Sequence, residues 1–506
     1  MDEPFVDAEP RASAMIESLR AVGYDLPTAV ADLVDNSLAA HARTVWIKFN
    51  WLGSDSFVTI GDDGDGMLPE QLTEAMRPGT MGPLEARQAD DLGRFGLGLK
   101  TASLSQCERL TVASRTQSSE TAVRRWDLEY VRKTDKWRLL TSAFPGSESR
   151  LIDGLNRAAG TVVLWERLDR LVGDVRRENT KAENRFYEAV RDVEEYLAMV
   201  FHRFLRAPNP RLRVLVGTAD EPAAIEPWDP FLERHEATYS TPEESIRMGD
   251  DSVRVKGFVL PHKSKLSVAE HRRAGGLGGW NARQGFYVHR NDRLVVAGSW
   301  LGLGQDRPWT REEHYKLARI CVDIPNTMDL AWHLDVKKSS AKPPAEIRER
   351  LKELAGNVRS IAKNVFSHRG SIVATGAKSD QPGLWKPGQS DGHPTYRVDR
   401  KHPLVERVKA SLDTESRRDF EALLTLLEET VPIHRIWIDM SEQPDMPAAP
   451  FELATDEKAA GVMRSLFAAL TENRGLTADQ AISKIRGMGL FGDLVEQLES
   501  EGRVAT

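Results

Sequence analysis

Hydrophobic residues at helical spacing first appear as Val30, Leu33, Val34 and Leu38, which would share one face of a helix and turn it to the core. Asp25 can cap the start of that helix, and Pro27 is tolerated in its first turn because no hydrogen bond is lost there. The pattern then changes to alternation. Residues 44–49 and 57–61 read as strands, with Gly53, Ser54 and Asp55 marking the turn between them. A short helix is expected over 99–105. A longer one over 185–204 would carry Phe186, Val190, Val193, Leu197, Val200 and Phe201 on one side. Residues 212–216 and 253–260 read as strands, and 285–296 as a hairpin-like pair around an Asn291-Asp292 turn. From Pro344 the character shifts. A charged helix over 345–366 precedes a Gly-, Pro-, Ser- and Asp-rich stretch, 367–403, that reads as a linker or irregular arm. Helical regions follow over 403–430 and 456–499.

Three polar runs interrupt this pattern in a telling order. On the first helix, Asp32, Asp35 and Asn36 lie three and four residues apart, away from the apolar face. An amide oxygen such as that of Asn36 suits Mg²⁺, which takes hard oxygen ligands and completes its shell with phosphate and water. Asp32, one turn earlier, can orient and deprotonate an attacking water. A solvated acidic face is the plainer reading of this run taken alone. Next comes Gly61-Asp62-Asp63-Gly64-Asp65-Gly66-Met67 at a strand end. There Asp62 can accept from an amino group, Gly64 and Gly66 let a flat ring approach the backbone, and Met67 offers it a soft apolar surface. A calcium loop is disfavoured because Glu70 comes too early to be the bidentate ligand. The third run, Gly93-Arg94-Phe95-Gly96-Leu97-Gly98-Leu99-Lys100, opens a helix, where backbone N–H groups and the dipole favour phosphate. It is neither a P-loop nor a dinucleotide fingerprint. Residues 78–91 before it would form a lid.

Together the three runs resemble the GHKL ATPases, the superfamily of gyrase-type topoisomerases, MutL proteins, heat-shock chaperones and histidine kinases. Within it the chain is most similar to bacterial MORC-like and MutL-like proteins, on Met15-Ile16-Glu17-Ser18-Leu19-Arg20, Gly23-Tyr24 and Asp32-Leu33-Val34-Asp35-Asn36-Ser37. A fourth element, a Gly-Thr leading a strand, matches Gly160-Thr161-Val162-Val163-Leu164-Trp165. The resemblance implies ATP and Mg²⁺ as ligands. It implies Asp62 and Thr161 at adenine, Asn36 on the metal, and Gly93, Gly96, Gly98 and Lys100 around the phosphates. It also implies an α+β fold: a GHKL (Bergerat) sandwich over 1–184, a transducer-type domain over 185–343, a helix and linker over 344–403, and a helical region over 404–506. In the family a transducer lysine reaches the γ-phosphate; Lys338, with Lys337 beside it, is the candidate here. One departure stands out. Much of the superfamily has glutamate where this chain has Asp32, and a misplacement of about 1 Å can cost on the order of a hundredfold in rate. Either the helix sits closer to the nucleotide or hydrolysis is slow.

Composition narrows the setting. The 506 residues, 40% hydrophobic and 29% charged, describe an ordinary globular chain of several domains. No apolar run is long enough to span a membrane, and the opening Met1-Asp2-Glu3-Pro4 is unlike a signal peptide, so a cytoplasmic home is expected. With only Cys107 and Cys321, neither a disulfide framework nor a four-cysteine zinc module can form. A net charge of −7 argues against a basic coat. Arg272, Arg273, Arg283, Arg290 and Arg293 nevertheless cluster near a glycine-rich loop and could form a local rim for DNA phosphates, or simply a charged surface. The resemblance implies an ATP-driven homodimer joined through its ATPase domains and acting on DNA. Restriction or anti-phage defence is the expected setting, with nuclease or methylase partners. A chaperone or a nucleotide-gated protein-interaction switch is the alternative.

Overall fold

The computed structural model describes residues 10–21, 23–78, 98–152, 158–218, 222–304, 307–334, 341–367, 384–390, 393–432, 436, 456–488, 491 and 495. The chain divides into two compact units, Met1–Ile372 and Val373–Thr506.

The first unit opens with α1 (Ala12–Arg20) and α2 (Leu26–Ala39). The expected cap of α2 is present: Thr28 N donates to the Asp25 carboxylate at 2.8 Å, and a proline sits in the first turn. A seven-stranded sheet follows. Its strands are β1 (Thr44–Asn50), β2 (Phe57–Asp62), β3 (Arg109–Arg115), β4 (Ala122–Asp127), β5 (Gly160–Glu166), β6 (Arg213–Thr218) and β7 (Ala223–Ala224). They run in the order β4-β3-β5-β2-β1-β6-β7, antiparallel except for the β1–β6 pair. Strand β1 alternates half-buried and buried residues, whereas β5 is buried throughout because both sheet faces are covered there. Helices α3 (Pro69–Met76), α4 (Gly98–Leu104), α5 (Leu128–Thr134) and α6 (Glu148–Ile152) fill the connections.

Helix α7 (Thr180–Val200) runs across the boundary expected at 184. Its apolar face, with Phe186, Val193 and Leu197, is buried in the same core as Val30, Leu33 and Val34 of α2. Strand β6, expected to belong to the second domain, pairs instead with β1 and extends the first sheet.

The second sheet holds β8 (Tyr239–Ser240), β9 (Glu244–Met248), β10 (Asp251–Val259), β11 (Gly285–Arg290), β12 (Arg293–Ser299) and β13 (Ala318–Ile324). It runs β12-β11-β13-β10-β8, with β9 also on β10. Helices α8 (Val268–Gly275) and α9 (Gly279–Ala282) precede the β11–β12 hairpin. Its turn has positive φ at Asn291 (47°) and Asp292 (67°), the geometry that Asn and Asp tolerate best after glycine. Helix α10 (Ala345–Ser367) is no spacer. Its Ile347, Leu351, Ala355, Val358 and Ala362 are buried in the core of the second sheet.

In the second unit, part of the stretch read as a linker forms a two-stranded ribbon, β14 (Trp385–Ser390) and β15 (His393–Val398). Helices α11 (Pro403–Ser411) and α12 (Thr414–Glu429) follow, then α13 (Asp456–Ala468) and α14 (Ala478–Gly487) around a small core of Met463, Leu466, Leu470, Ala481 and Ile485. The α+β class read from the sequence is the one observed.

Candidate functional site

Helix α2 presents its polar residues in two different ways. From Thr28 to Ser37 every residue is buried except Asn36. Asn36 is thus an exposed amide one turn beyond Asp32, whose carboxylate is only 5% exposed. That donor set fits the metal implied by the resemblance, since one hard oxygen would join phosphate and water oxygens around Mg²⁺. Asp32 lies against the start of α4: a Cβ built on Gly98 would sit 3.6 Å from its Oδ2. The Tyr24 hydroxyl lies beside Asp32 and Thr101, and burial together with the Asp32 charge pushes the Tyr24 phenol well above its usual range. On its other side Asp32 Oδ1 lies 3.9 Å from Arg293 Nη2.

Asp62, at the end of β2, is held by three donors. Ser37 Oγ donates to Oδ2 at 2.9 Å; the Gly64 and Thr161 backbone N–H groups donate to Oδ1 at 3.0 and 3.3 Å. Burial raises its pKa, and those three hydrogen bonds oppose the rise. Asp62 and Thr161, the two residues that the resemblance places at adenine, thus meet directly through the Thr161 backbone N–H, across 99 residues of chain. A second relay supports it: Met67 N donates to Ser114 Oγ at 2.9 Å, and Ser114 Oγ lies 2.8 Å from Thr161 Oγ1. Gly66 has φ +72°, and a Cβ there would fall 1.9 Å from the Arg115 carbonyl oxygen, so only glycine lets this loop lie on the end of β3. Gly64 similarly approaches Ala40 O, at 2.6 Å from its would-be Cβ. Beside the loop, a cleft of about 480 Å³ is lined by Asp63, Gly64, Asp65, Thr116, Gln117 and Ser118, with Ala158 and Ala159. Ser37 and Ser114 were not singled out in the sequence. Their one available signal is position, Ser37 following Asn36 and Ser114 lying opposite Thr161 on β5.

The phosphate end is only partly described. Gly93 and Gly96, the lid, and Lys337 and Lys338 lie outside the described residues. Lys100, expected near the phosphates, is held within the protein. It is 2% exposed, and its ammonium donates to Ala75 O at 3.1 Å and Arg77 O at 2.8 Å. It thus closes the C-terminal end of α3, where carbonyls lack partners and a cation is favoured. Burial lowers its pKa to about 8. With two donors directed at these carbonyls, it ties α3 to α4.

The arginine rim is also split. Arg272 and Arg273 are exposed on α8, with Arg273 on Glu226 at 2.9 Å. Arg290 is buried on Asp329 at 2.7 Å, Arg283 donates to Leu277 O, and Arg293 is fully buried on Asp35. These three form internal ion pairs and a backbone hydrogen bond, not a surface for phosphates. Trp280 stacks on His271, with ring centroids 4.9 Å apart, and Tyr287 is core. His289, Cys321 and Asp323 bring their side-chain donors within 4.8 Å of one another, but the Arg203 guanidinium already lies on Asp323 and 3.1 Å from the Cys321 sulfur. That cluster contains its own cation and ties the turn after α7 to the second sheet.

Comparison with known proteins agrees with this geometry. Residues 24–161 match the family described as histidine kinase-, DNA gyrase B- and HSP90-like ATPase. The chain is 33% identical to ATPase morc-1 of Caenorhabditis elegans over 96 residues, which is 19% of this chain and 11% of that protein. It is 30% identical to the DNA mismatch repair protein MutL of Kosmotoga olearia over 97 residues, 18% of this chain and 16% of that protein. To MutL of Coxiella burnetii it is 33% identical over 99 residues, 19% of this chain and 17% of that one. The chain thus matches less than a fifth of the length of each of these relatives.

Proposed function

We propose that this chain, which carries a GHKL-type ATPase domain, is a Mg²⁺-dependent ATP hydrolase that closes and dimerises on ATP and works as an ATP-gated clamp on DNA. The observation that carries the reading is the Asp62 cradle. A buried carboxylate fixed by Ser37, Gly64 and Thr161 is shaped to accept from the exocyclic amino group of adenine. The phosphates would extend from there along α2 toward the start of α4, past Asn36 and Asp32. Asn36 would hold Mg²⁺, which when bound neutralises charge on the phosphates. Asp32 takes a proton from the attacking water as its oxygen bonds to the γ-phosphorus and the bond to the bridging oxygen breaks; ADP and phosphate leave. Closure can follow ATP only if the closed state binds it better, and the lid and Lys337 or Lys338 are the proposed source of that difference.

The DNA role draws on two supports. The MutL relatives are named for DNA mismatch repair, and Lys265, Arg272 and Arg273 form an exposed basic stretch at α8. The defence setting and a nuclease or methylase partner rest on the resemblance to bacterial MORC-like proteins alone. Steady-state ATP turnover with and without duplex DNA separates this reading from a chaperone or switch. The clamp reading expects severalfold stimulation that is lost between 50 and 200 mM salt, as phosphate contacts of this kind are. Turnover indifferent to DNA at low salt would favour the chaperone or switch.

A further inference from the structure

We propose that Arg293, on the second sheet, is a positioning residue for hydrolysis that holds the base-bearing helix α2 in register through Asp35. This rests on the reading of Asp32 as the general base. Arg293 and Asp35 lie 258 residues apart, yet Arg293 Nε donates to both carboxylate oxygens of Asp35, at 2.9 and 2.8 Å. Arg293 is 0% and Asp35 1% exposed. A second contact of the same guanidinium is electrostatic: Nη2 stands 3.9 Å from Asp32 Oδ1, beyond hydrogen-bond length. One buried cation therefore serves two carboxylates one turn apart on α2, binding Asp35 tightly and touching Asp32 only through its charge.

The anchor is itself anchored. Arg293 is the first residue of β12, directly after the tight Asn291-Asp292 turn. Asp292 is gripped by Arg203 at 3.1 Å and Arg211 at 2.7 Å, and Arg290 is locked to Asp329 at 2.7 Å. A hairpin fixed at both ends by ion pairs cannot move without moving the guanidinium. Nor can the guanidinium move without stranding Asp35 in the core, because an unpaired buried charge is strongly disfavoured. The second sheet thereby sets the angle of α2 at the residue pair that flanks the base. Tyr24 also lies beside Asp32. Displacement of the hairpin would shift the base by a fraction of an ångström, whereas the adenine cradle takes only Ser37 from α2 and keeps its Gly64 and Thr161 contacts to Asp62.

The test separates turnover from binding. Arg293→Lys keeps the charge but loses the fixed Nε–H that meets both Asp35 oxygens and the Nη1–H that donates to Leu294 O. The double variant Asp35→Asn with Arg293→Gln replaces the ion pair with a neutral hydrogen-bonding pair and strands no charge. It decides the matter if the lysine variant fails to fold. For each folded variant, thermal melting, the Kd for ATP·Mg²⁺ by titration, and kcat are measured. We expect near-normal melting, ATP affinity within about threefold, and kcat lower by about tenfold or more. A folded variant with wild-type kcat overturns the proposal, as does a loss of kcat that merely tracks a loss of affinity. The Asp32→Ala chain, run in parallel, keeps the two readings apart. If it hydrolyses ATP normally, the base assignment fails. If it is inactive while the Asp35/Arg293 variants turn over normally, only the positioning role fails.

Discussion

Asp32→Ala will bind ATP and fail to hydrolyse it. The substitution removes a buried carboxylate but leaves the fold's major pairing intact, because Arg293 makes its short bonds to Asp35 and only a 3.9 Å contact to Asp32. Tyr24 loses a neighbouring carboxylate but keeps Thr101 beside it. The adenine cradle draws only Ser37 from α2, one turn and more beyond the change. Affinity should therefore stay within a few-fold of the parent. Turnover should fall by at least about a hundredfold, the contribution expected of a positioned general base. Phosphate release under saturating ATP, beside a binding titration, checks both halves; parental turnover would show that another group takes the proton.

Asp62→Asn will lose ATP at the other end of the pocket. Its Oδ1 receives two backbone N–H groups, from Gly64 and Thr161, which cannot change roles. An asparagine must present its carbonyl oxygen there and put its NH₂ where Oδ2 now stands. Ser37 can rotate its hydroxyl to accept from that NH₂, but the adenine amino group cannot, so donor would face donor. The expected cost is about 1–3 kcal/mol, an affinity roughly 10- to 100-fold weaker. Melting should change little, because every protein partner of Asp62 stays satisfied. Unaltered affinity in the titration would remove Asp62 from the adenine contact.

What was legible in the sequence was mostly local. The cap and apolar face of α2, the strands β1 and β2, the glycine needed at Gly66 and the Asn291-Asp292 turn all follow from short-range rules of spacing and backbone conformation. The Asp62–Thr161 pairing crosses the sheet and was legible only through the resemblance. What was not legible depends on burial by distant chain. Lys100 reads as a phosphate cation beside glycines, but packing of α3 over α4 turns it toward two carbonyls. Five arginines near a glycine-rich loop read as one rim. Three of them meet acids or a carbonyl inside, and nothing in the local pattern of Arg293 announces Asp35. The segment boundary misplaced at 184 has the same origin. A long amphipathic helix looks alike whether it opens a new domain or completes an old core, and the buried contact with α2 makes α7 the latter. The ribbon β14–β15 was hidden by proline and glycine, which mark loops more often than paired strands.

The most direct test of the account is the molecular mass of the full chain in solution, with Mg²⁺ and either no nucleotide, ADP or a non-hydrolysable ATP analogue. The account predicts one mass in the first two conditions and twice that mass with the analogue, a change that Asp62→Asn should weaken and Asp32→Ala should preserve. A mass that ignores the γ-phosphate would contradict it, and would mean that this pocket drives something other than the joining of two subunits.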